Sequence, residues 1–138
     1  MTFSVQIRVR GYELDSLGHV NQSVYPKYAE HARWEYLSSI GIDQTVVGGG
    51  TAPIVLEQNI KYRGELRIGD EITVTCTPIW GEGKVFRFEQ EIRKADGRLS
   101  AEISVVCGVM DLTARKLLPD ARAAFLRLSD DPQLLERL

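Results

Sequence analysis

Residues 9 to 36, VRGYELDSLGHVNQSVYPKYAEHARWEY, decide how this chain is organised. The stretch leaves a run of alternating apolar and polar residues, passes through a polar turn that contains glycine, and enters an amphipathic helix. A helix N-terminus offers free backbone N–H groups and a partial positive charge, which can polarise a carbonyl. A carboxylate a few residues upstream can attack that carbonyl, so the stretch predicts a reactive site at the helix start.

The elements on either side of this turn follow from hydrophobic periodicity. Residues 3–10 predict a half-buried strand because every second side chain is apolar: Phe3, Val5, Ile7 and Val9. Residues 11–22 predict a loop. In the helix that follows, Ser23 is the candidate N-cap, Pro26 lies in the first turn and Gly41 ends it. The predicted buried stripe recurs at helical spacing and comprises Tyr25, Ala29, Ala32, Tyr36 and Ile40.

The remainder of the chain is rich in predicted strands. Their ranges are 53–64, 70–80, 84–95 and 98–112, and the last two form a hairpin around Ala95-Asp96-Gly97. Residues 119–128 predict a short helix, and about eight terminal residues are expected to fray. One strand, one long helix and four strands predict a single α+β domain over residues 1–138, with an antiparallel five-stranded sheet against the helix.

Two features between and within these elements leave alternatives open. The three glycines Gly48–Gly50 indicate a mobile loop or a backbone that a ligand approaches, and they lack the lysine of a phosphate-binding loop. Cys76 and Cys107 lie in predicted strands, so we expect two small buried thiols. A disulfide between them is possible on count alone.

Composition excludes several classes of function. A net charge of -2 with scattered Lys and Arg gives no footprint for nucleic acid. No apolar run is long enough to span a membrane. Since we recognise no signal peptide, we expect a cytoplasmic protein. The two histidines and two cysteines have no spacing typical of a metal site.

Asp15 and His19 are the main candidates for chemistry in the turn. The Asp15 carboxylate could activate water or attack a carbonyl directly. The alternative is an aspartate that bonds the backbone of its own turn, which is the common use of this residue. His19 could orient a substrate or transfer a proton near neutral pH, or could simply bond the backbone.

Other residues near the helix start have more modest predicted roles. Asn21 could hold the turn through side-chain bonds to backbone, and it is also a candidate contact for substrate. The amides of residues 22–24 are candidate donors to an oxyanion. Tyr25 lies on the buried stripe and is expected to belong to the core, where it could also line a substrate site. Glu30 could contact substrate or form a surface ion pair with Arg33, three residues further on.

The motif in this stretch resembles the acyl-CoA thioesterases of the hotdog fold, and in particular the 4-hydroxybenzoyl-CoA thioesterase family. The residues that carry the resemblance are Tyr12-x-x-Asp15-x-x-Gly18-His19-Val20-Asn21-x-x-x-Tyr25, followed by Tyr28-x-Glu30-x-Ala32-Arg33-x-Glu35. It continues through Tyr62 and Gly69-Asp70 to Asp111. Many relatives have Asp-x-Asp where this chain has Glu13-Leu14-Asp15, so the second acid is retained in changed surroundings.

The resemblance implies an enzyme that needs no cofactor, because coenzyme A is part of its substrate. It implies a dimer that shares one continuous sheet, often assembled further into a homotetramer. Asp15 matches the catalytic aspartate of the family, and the backbone N–H of Gln22 matches the group that binds the carbonyl. The implied substrate contacts are Glu30 in the acyl pocket, Thr51, Ala52 and Pro53 beside the neighbouring subunit's thioester, and Lys84 at the phosphates of the nucleotide.

The resemblance therefore implies hydrolysis of an acyl-CoA thioester to a carboxylic acid and CoA. An acyl-carrier-protein thioesterase remains an alternative, because both carriers present the same phosphopantetheine thioester. A hotdog protein that binds acyl thioesters without catalysis is a further alternative. Dehydratase chemistry is disfavoured, because the sequence lacks the Pro-Gly-rich motif of those enzymes.

Overall fold

The computed structural model describes residues 2–42 and 50–129. These residues form six strands and two α-helices, with bounds β1 Phe3–Arg8, α1 Tyr25–Ser39, β2 Thr51–Tyr62, β3 Glu71–Trp80, β4 Phe86–Lys94, β5 Leu99–Asp111, β6 Lys116–Leu117 and α2 Ala121–Leu128. The predicted loop also contains a single 3-10 turn, Gly11–Glu13. Gly48, Gly49 and the terminal residues 130–138, for which the sequence predicted a mobile loop and fraying, lie outside the described residues.

The strands form one antiparallel sheet in the order β1-β3-β4-β5-β2, with β6 attached to β5. The α+β fold with five long strands is confirmed. The two-residue strand β6 was not predicted, because so short a segment has no periodicity to read. Strand β2 is an edge strand, and its register with β5 runs from Thr51 opposite Asp111 to Tyr62 opposite Ala101.

Helix α1 confirms the predicted end but corrects the predicted start. Its N-cap is Val24, and no side chain caps it, so Ser23 is not the cap. The reason is local: the Ser23 N–H already donates to Asn21 Oδ1 at 2.9 Å, within a turn that precedes the helix. At the other end, Gly41 has φ 82°, and the N–H of Ile42 reaches the carbonyl of Leu37 at 2.8 Å, which closes the helix as predicted.

The core lies between α1 and one face of the sheet. All five stripe residues of α1 are buried, as predicted: Tyr25, Ala29, Ala32, Tyr36 and Ile40. The Tyr36 ring packs edge-on against Phe3 and Phe88, each at a centroid distance of 5.6 Å. The Tyr36 hydroxyl is the one fully buried side-chain oxygen or nitrogen in residues 2–42 and 50–129 that has no hydrogen-bond partner.

Both cysteines are buried in this core as free thiols, so the prediction of two buried thiols is confirmed and a disulfide is not formed. Burial raises the pKa of Cys76 to about 12. Burial likewise raises the pKa of Cys107 to about 11. Neither helix in the described part of the chain has the length and apolar character that a membrane crossing requires.

A buried carboxylate fixes the turn to the helix. Glu13 is only 7% exposed, and its Oε1 accepts hydrogen bonds from the Tyr28 hydroxyl at 2.7 Å and from the Arg10 N–H at 2.8 Å. The Arg10 guanidinium also reaches Oε2 at 3.2 Å. Burial and, after it, the bond to Glu13 raise the pKa of Tyr28. The backbone carbonyl of Glu13 accepts the N–H of Asn21 at 2.9 Å, so Glu13 ties together both ends of the turn.

The two buried tyrosines of α1 provide a matched pair for a stability test. Tyr28→Phe removes a donor to a buried charge, and we expect it to lower the free energy of unfolding by about 2 kcal/mol. Tyr36→Phe removes a hydroxyl that has no partner, so we expect no loss, or a gain of up to about 1 kcal/mol. Urea unfolding of the two variants measures the difference. Equal losses would contradict the assigned role of the Glu13–Tyr28 bond.

Candidate active site

A cavity of about 530 Å³ lies where the turn, the start of α1, the end of β2 and the connection after β2 meet. Five of the residues singled out in the sequence line it: Asp15, His19, Asn21, Gln22 and Tyr25. Tyr62 and Glu65 line it as well. The first segment of the motif is therefore brought together in one cavity, along with two residues that lie 37 to 50 positions further along the chain.

One oxygen of the Asp15 carboxylate accepts hydrogen bonds from the backbone of its own turn. Oδ1 accepts the N–H groups of Leu17 at 2.9 Å and His19 at 3.2 Å. The Asp15 N–H donates to the carbonyl of His19 at 2.8 Å, and Gly18 supplies the left-handed backbone, φ 79°, that the turn needs. Oδ2 accepts no hydrogen bond from residues 2–42 and 50–129. The half-buried carboxylate is thus fixed in orientation while one oxygen stays available.

Asn21 organises the backbone between the turn and the helix. Its Oδ1 accepts the Ser23 N–H at 2.9 Å, and its carbonyl accepts the Val24 N–H at 2.9 Å. Two of the three candidate amide donors are therefore occupied. The third, the N–H of Gln22, has no acceptor among the described residues. The Tyr62 hydroxyl donates to the Gln22 carbonyl at 3.2 Å and restrains this residue from the other side.

His19 is paired with an acid that sequence reasoning did not identify. Its Nε2 lies 2.8 Å from Glu65 Oε2, and the other carboxylate oxygen of Glu65 accepts the Arg67 guanidinium at 2.7 Å. The hydrogen bond from Arg67 holds the pKa of Glu65 below its usual range, and His19 contributes in the same direction. The pair fixes the imidazole at the cavity wall, about a third exposed, with side-chain exposure of 31%.

Tyr25 belongs to the hydrophobic core and also lines the Asp15 cavity, as expected. Its ring is 4% exposed and packs edge-on against Tyr62 at a centroid distance of 5.1 Å. The hydroxyl lies 3.5 Å from the carbonyl of Gly64, a long contact. Burial raises the pKa of Tyr25, so the phenol is neutral near neutral pH.

Glu30 and Pro53 line a second cavity, of about 250 Å³, between α1 and strands β2, β4 and β5. The alternative of a surface ion pair between Glu30 and Arg33 is wrong. Arg33 is buried, 8% exposed, and its Nη1 donates to Gln90 Oε1 at 3.0 Å. The spacing on the helix is right for a pair, but Arg33 turns inward to a partner on the sheet.

The remaining predicted contacts lie far from the Asp15 cavity within one chain. Thr51 and buried Ala52 begin β2, whereas Tyr62 at the other end of this strand lines the cavity. Eleven residues of extended strand span roughly 35 Å. Lys84 is exposed just before β4, at the same distant end of the sheet. Roles in substrate binding for these residues stay predictions.

Tyr62 and Glu65 show what local sequence reasoning missed. Tyr62 belongs to the motif that carries the family resemblance, but its position at the end of a strand does not reveal its bond to the turn. Glu65 stands beside Arg67 in a polar connection, which is a common surface arrangement. In the described ranges no group of three or more His, Cys, Asp or Glu side chains could hold a metal ion.

Comparison with known proteins places the chain in a family. Residues 9–129 match the Thioesterase-like superfamily. The acyl-acyl carrier protein thioesterase ATL3 (chloroplastic) of Arabidopsis thaliana is 44% identical over 71 residues, which cover 51% of this chain and 37% of that protein. The long-chain acyl-CoA thioesterase FadM of Escherichia coli (strain K12) is 32% identical over 114 residues, covering 82% of this chain and 86% of that protein.

Solved structures support the same assignment. The crystal structure of YbaW, a probable thioesterase from Escherichia coli, has a TM-score of 0.81 and 29% identity, with 91% of this chain and 95% of that chain covered. The matched residues 9–129 contain the whole Asp15 cavity. The expectation of a hotdog thioester hydrolase is confirmed at the level of the family: this chain belongs to the Thioesterase-like superfamily.

Proposed function

We propose that this protein hydrolyses acyl-CoA thioesters to a carboxylic acid and CoA in the Asp15 cavity. One observation carries the proposal: an unpaired backbone donor, the Gln22 N–H, and an unpaired carboxylate oxygen, Asp15 Oδ2, belong to residues that line the same cavity. The neighbouring amides are already bonded within the turn. A preorganised donor and a carboxylate are the two groups that hydrolysis of an activated acyl group requires.

In this proposal the Gln22 N–H polarises the thioester carbonyl. Negative charge develops on that oxygen as the tetrahedral intermediate forms, and one fixed donor stabilises it by about 3 kcal/mol. The bonds of Asn21 to Ser23 and Val24 hold the backbone on one side of Gln22. The Tyr62 hydroxyl restrains the carbonyl of Gln22 from the other side. No reorganisation of the turn is then needed during the reaction.

Asp15 supplies the attacking oxygen by one of two routes. As a general base it takes a proton from water, and the hydroxide adds to the carbonyl carbon. As a nucleophile it forms an acyl-enzyme anhydride that water then cleaves. In both routes the carbon–sulfur bond breaks, a carbon–oxygen bond forms and CoA leaves as a thiolate that takes up a proton. His19, held by Glu65, is the second group in the cavity able to move that proton.

A dimer paired through β2 would complete the site. The middle of this edge strand is exposed, with Val55 at 49% and Leu56 at 46%, and exposed apolar edges normally pair or are covered. If the strand pairs antiparallel with its own copy along its full length, Tyr62 of one chain meets Thr51 of the other. Thr51, Ala52 and Pro53 would then border the neighbouring Asp15 cavity, and Lys84 would lie at the same end for the phosphates.

A carrier-protein thioester is the second candidate substrate. It is favoured by the 44% identity with ATL3 over 71 residues. Both carriers deliver the acyl group on the same phosphopantetheine arm, so the proposed chemistry at Asp15 is unchanged. A cytoplasmic location, a homotetramer and the absence of a separate cofactor complete the proposal, and they rest on the sequence and on its resemblance to the family.

Asp15→Asn tests the chemistry with little change to the turn, because the amide oxygen can still accept the two N–H groups. We expect the rate of acyl-CoA ester hydrolysis, measured as the release of free thiol, to fall at least about a hundredfold. Asp96→Asn is the matched control, since Asp96 Oδ1 also accepts a backbone N–H in a turn, from Arg98 at 2.9 Å. It should keep wild-type activity.

Turnover by Asp15→Asn within a few fold of the wild type would remove Asp15 from the mechanism and move attention to His19. A wild type that leaves every CoA ester intact but cleaves acyl groups from a carrier protein would favour the second candidate. A wild type inactive on both would leave a binding role.

Cross-linking tests the proposed dimer. Thr51→Cys and Tyr62→Cys in the same chain lie roughly 35 Å apart along one strand, so a short bismaleimide can join them only between chains. We expect covalent dimers from the double variant. The wild type should show none, because its thiols are buried. Monomer alone from the double variant, under conditions where both engineered thiols react, would contradict pairing through β2.

A further inference from the structure

The second cavity contains a buried cation that the proposed reaction does not use. Trp34, Leu37, Ile54 and Phe88 give this cavity, of about 250 Å³, a largely apolar wall. Arg33 lines it while being only 8% exposed. Burial lowers the pKa of Arg33. A buried charge is normally paired with an opposite charge, and within residues 2–42 and 50–129 no carboxylate forms an ion pair with this guanidinium.

Gln90 holds Arg33 in place. Gln90 is 1% exposed, and its Nε2 donates to the carbonyl of Ala29 at 2.9 Å and, more weakly, to that of Thr75 at 3.3 Å. Its Oε1 accepts Arg33 Nη1 at 3.0 Å. The side-chain amide is thus fixed to both helix and sheet, and it fixes one edge of the guanidinium. Sequence spacing gives no hint of this arrangement.

The Nε and Nη2 groups of Arg33 donate to none of the residues 2–42 and 50–129. In the described residues, the Tyr36 hydroxyl is the one fully buried side-chain oxygen or nitrogen without a partner. Nε and Nη2, which do not bond Gln90, are therefore not completely buried. Since Arg33 lines the cavity, these donors are available to an oxygen atom that enters it. Glu30, the acid among the lining residues, is exposed. Against the lowering by burial, its charge raises the pKa of Arg33 from a distance, but no direct ion pair joins the two side chains.

We propose that this cavity receives the acyl chain and that Arg33 selects chains bearing an oxygen substituent, such as a hydroxyl or carboxyl group, away from the thioester. The inference rests on the proposed function and names the substrate class for that site. Arg33 lies just over two helical turns beyond Tyr25, roughly 12 Å along α1, which is within the reach of a medium-chain acyl group. In a dimer paired through β2, Pro53 and Val55 would also bring the cavity beside the neighbouring Asp15 site.

Hydrogen bonding to Arg33 favours the oxygenated chain, and its absence disfavours the unsubstituted chain. An oxygen acceptor replaces the water that the guanidinium loses when the chain enters. An unsubstituted hydrocarbon chain covers the same N–H groups but has no hydrogen-bond acceptor for them. Sites with polar groups that must be satisfied discriminate strongly against analogues that lack the matching atom. The apolar wall accepts the methylene groups of either chain equally, so the difference between the two chains is expected to come from Arg33.

The experiment compares CoA esters of equal chain length that end in a methyl, a hydroxyl or a carboxyl group. For the wild type, kcat/KM should favour an oxygenated chain roughly tenfold or more. Arg33→Met keeps an unbranched side chain of similar length but has no donors, and it should abolish or reverse the preference. Arg33→Lys keeps the charge without the planar fork, so preference for the hydroxyl chain should fall several-fold while the carboxyl chain is still favoured.

Binding of uncleavable analogues separates this inference from the proposed function. S-alkyl-CoA thioethers with and without a terminal hydroxyl cannot be hydrolysed, and calorimetry gives their affinities for the wild type and for Arg33→Met. Tighter binding of the hydroxyl form by the wild type alone supports the inference, even if no ester is cleaved and hydrolysis is thereby refuted. The inference would be overturned if the wild type bound both forms equally or bound neither. It would also be overturned if the preference were unchanged in Arg33→Met and Arg33→Lys. Turnover of plain esters would then leave the proposed function standing.

Discussion

The site depends on the hydrogen bonds that the buried carboxylate of Glu13 accepts. Glu13 accepts the Tyr28 hydroxyl at 2.7 Å from α1 and the Arg10 N–H at 2.8 Å from the chain that enters the turn. Because its own carbonyl also takes the Asn21 N–H, the turn is anchored at entry and exit. The side chain and the carbonyl of Glu13 together join the turn to the helix.

With the turn anchored, backbone hydrogen bonds are used almost completely. Asp15 takes the amides of Leu17 and His19, and Asn21 takes those of Ser23 and Val24. The Gln22 amide has no acceptor among the described residues, and within the turn Ser16 shares this property. A donor that the surroundings hold still and do not consume is the preorganised kind that stabilises developing charge. The two readings of Asp15, structural and chemical, are compatible because each uses a different oxygen.

The sequence predicts well the elements that have a repeating apolar pattern. It predicts poorly the contacts between residues that are far apart in the chain. Alternation identified β1, and helical spacing identified the buried stripe of α1, since each period reports one face of a regular element. Ser23 was misassigned as the cap because Asn21 captures its amide first. Arg33 and Glu30 have the spacing of a surface pair, yet Arg33 bonds Gln90, 57 residues away. Glu65 reaches His19 across a similar separation, and neither contact has a local signal.

The two free cysteines have a consequence for redox chemistry. Cys76 and Cys107 are the only cysteines of the chain, and with pKa values of about 12 and about 11 they carry almost no thiolate near neutral pH. Mixed disulfides form through a thiolate. A thioesterase frees a thiol at every turnover and so works amid thiols and their oxidised forms. Both thiols of this chain are buried, at 1% and 2% exposure, so thiols in solution have little access to them.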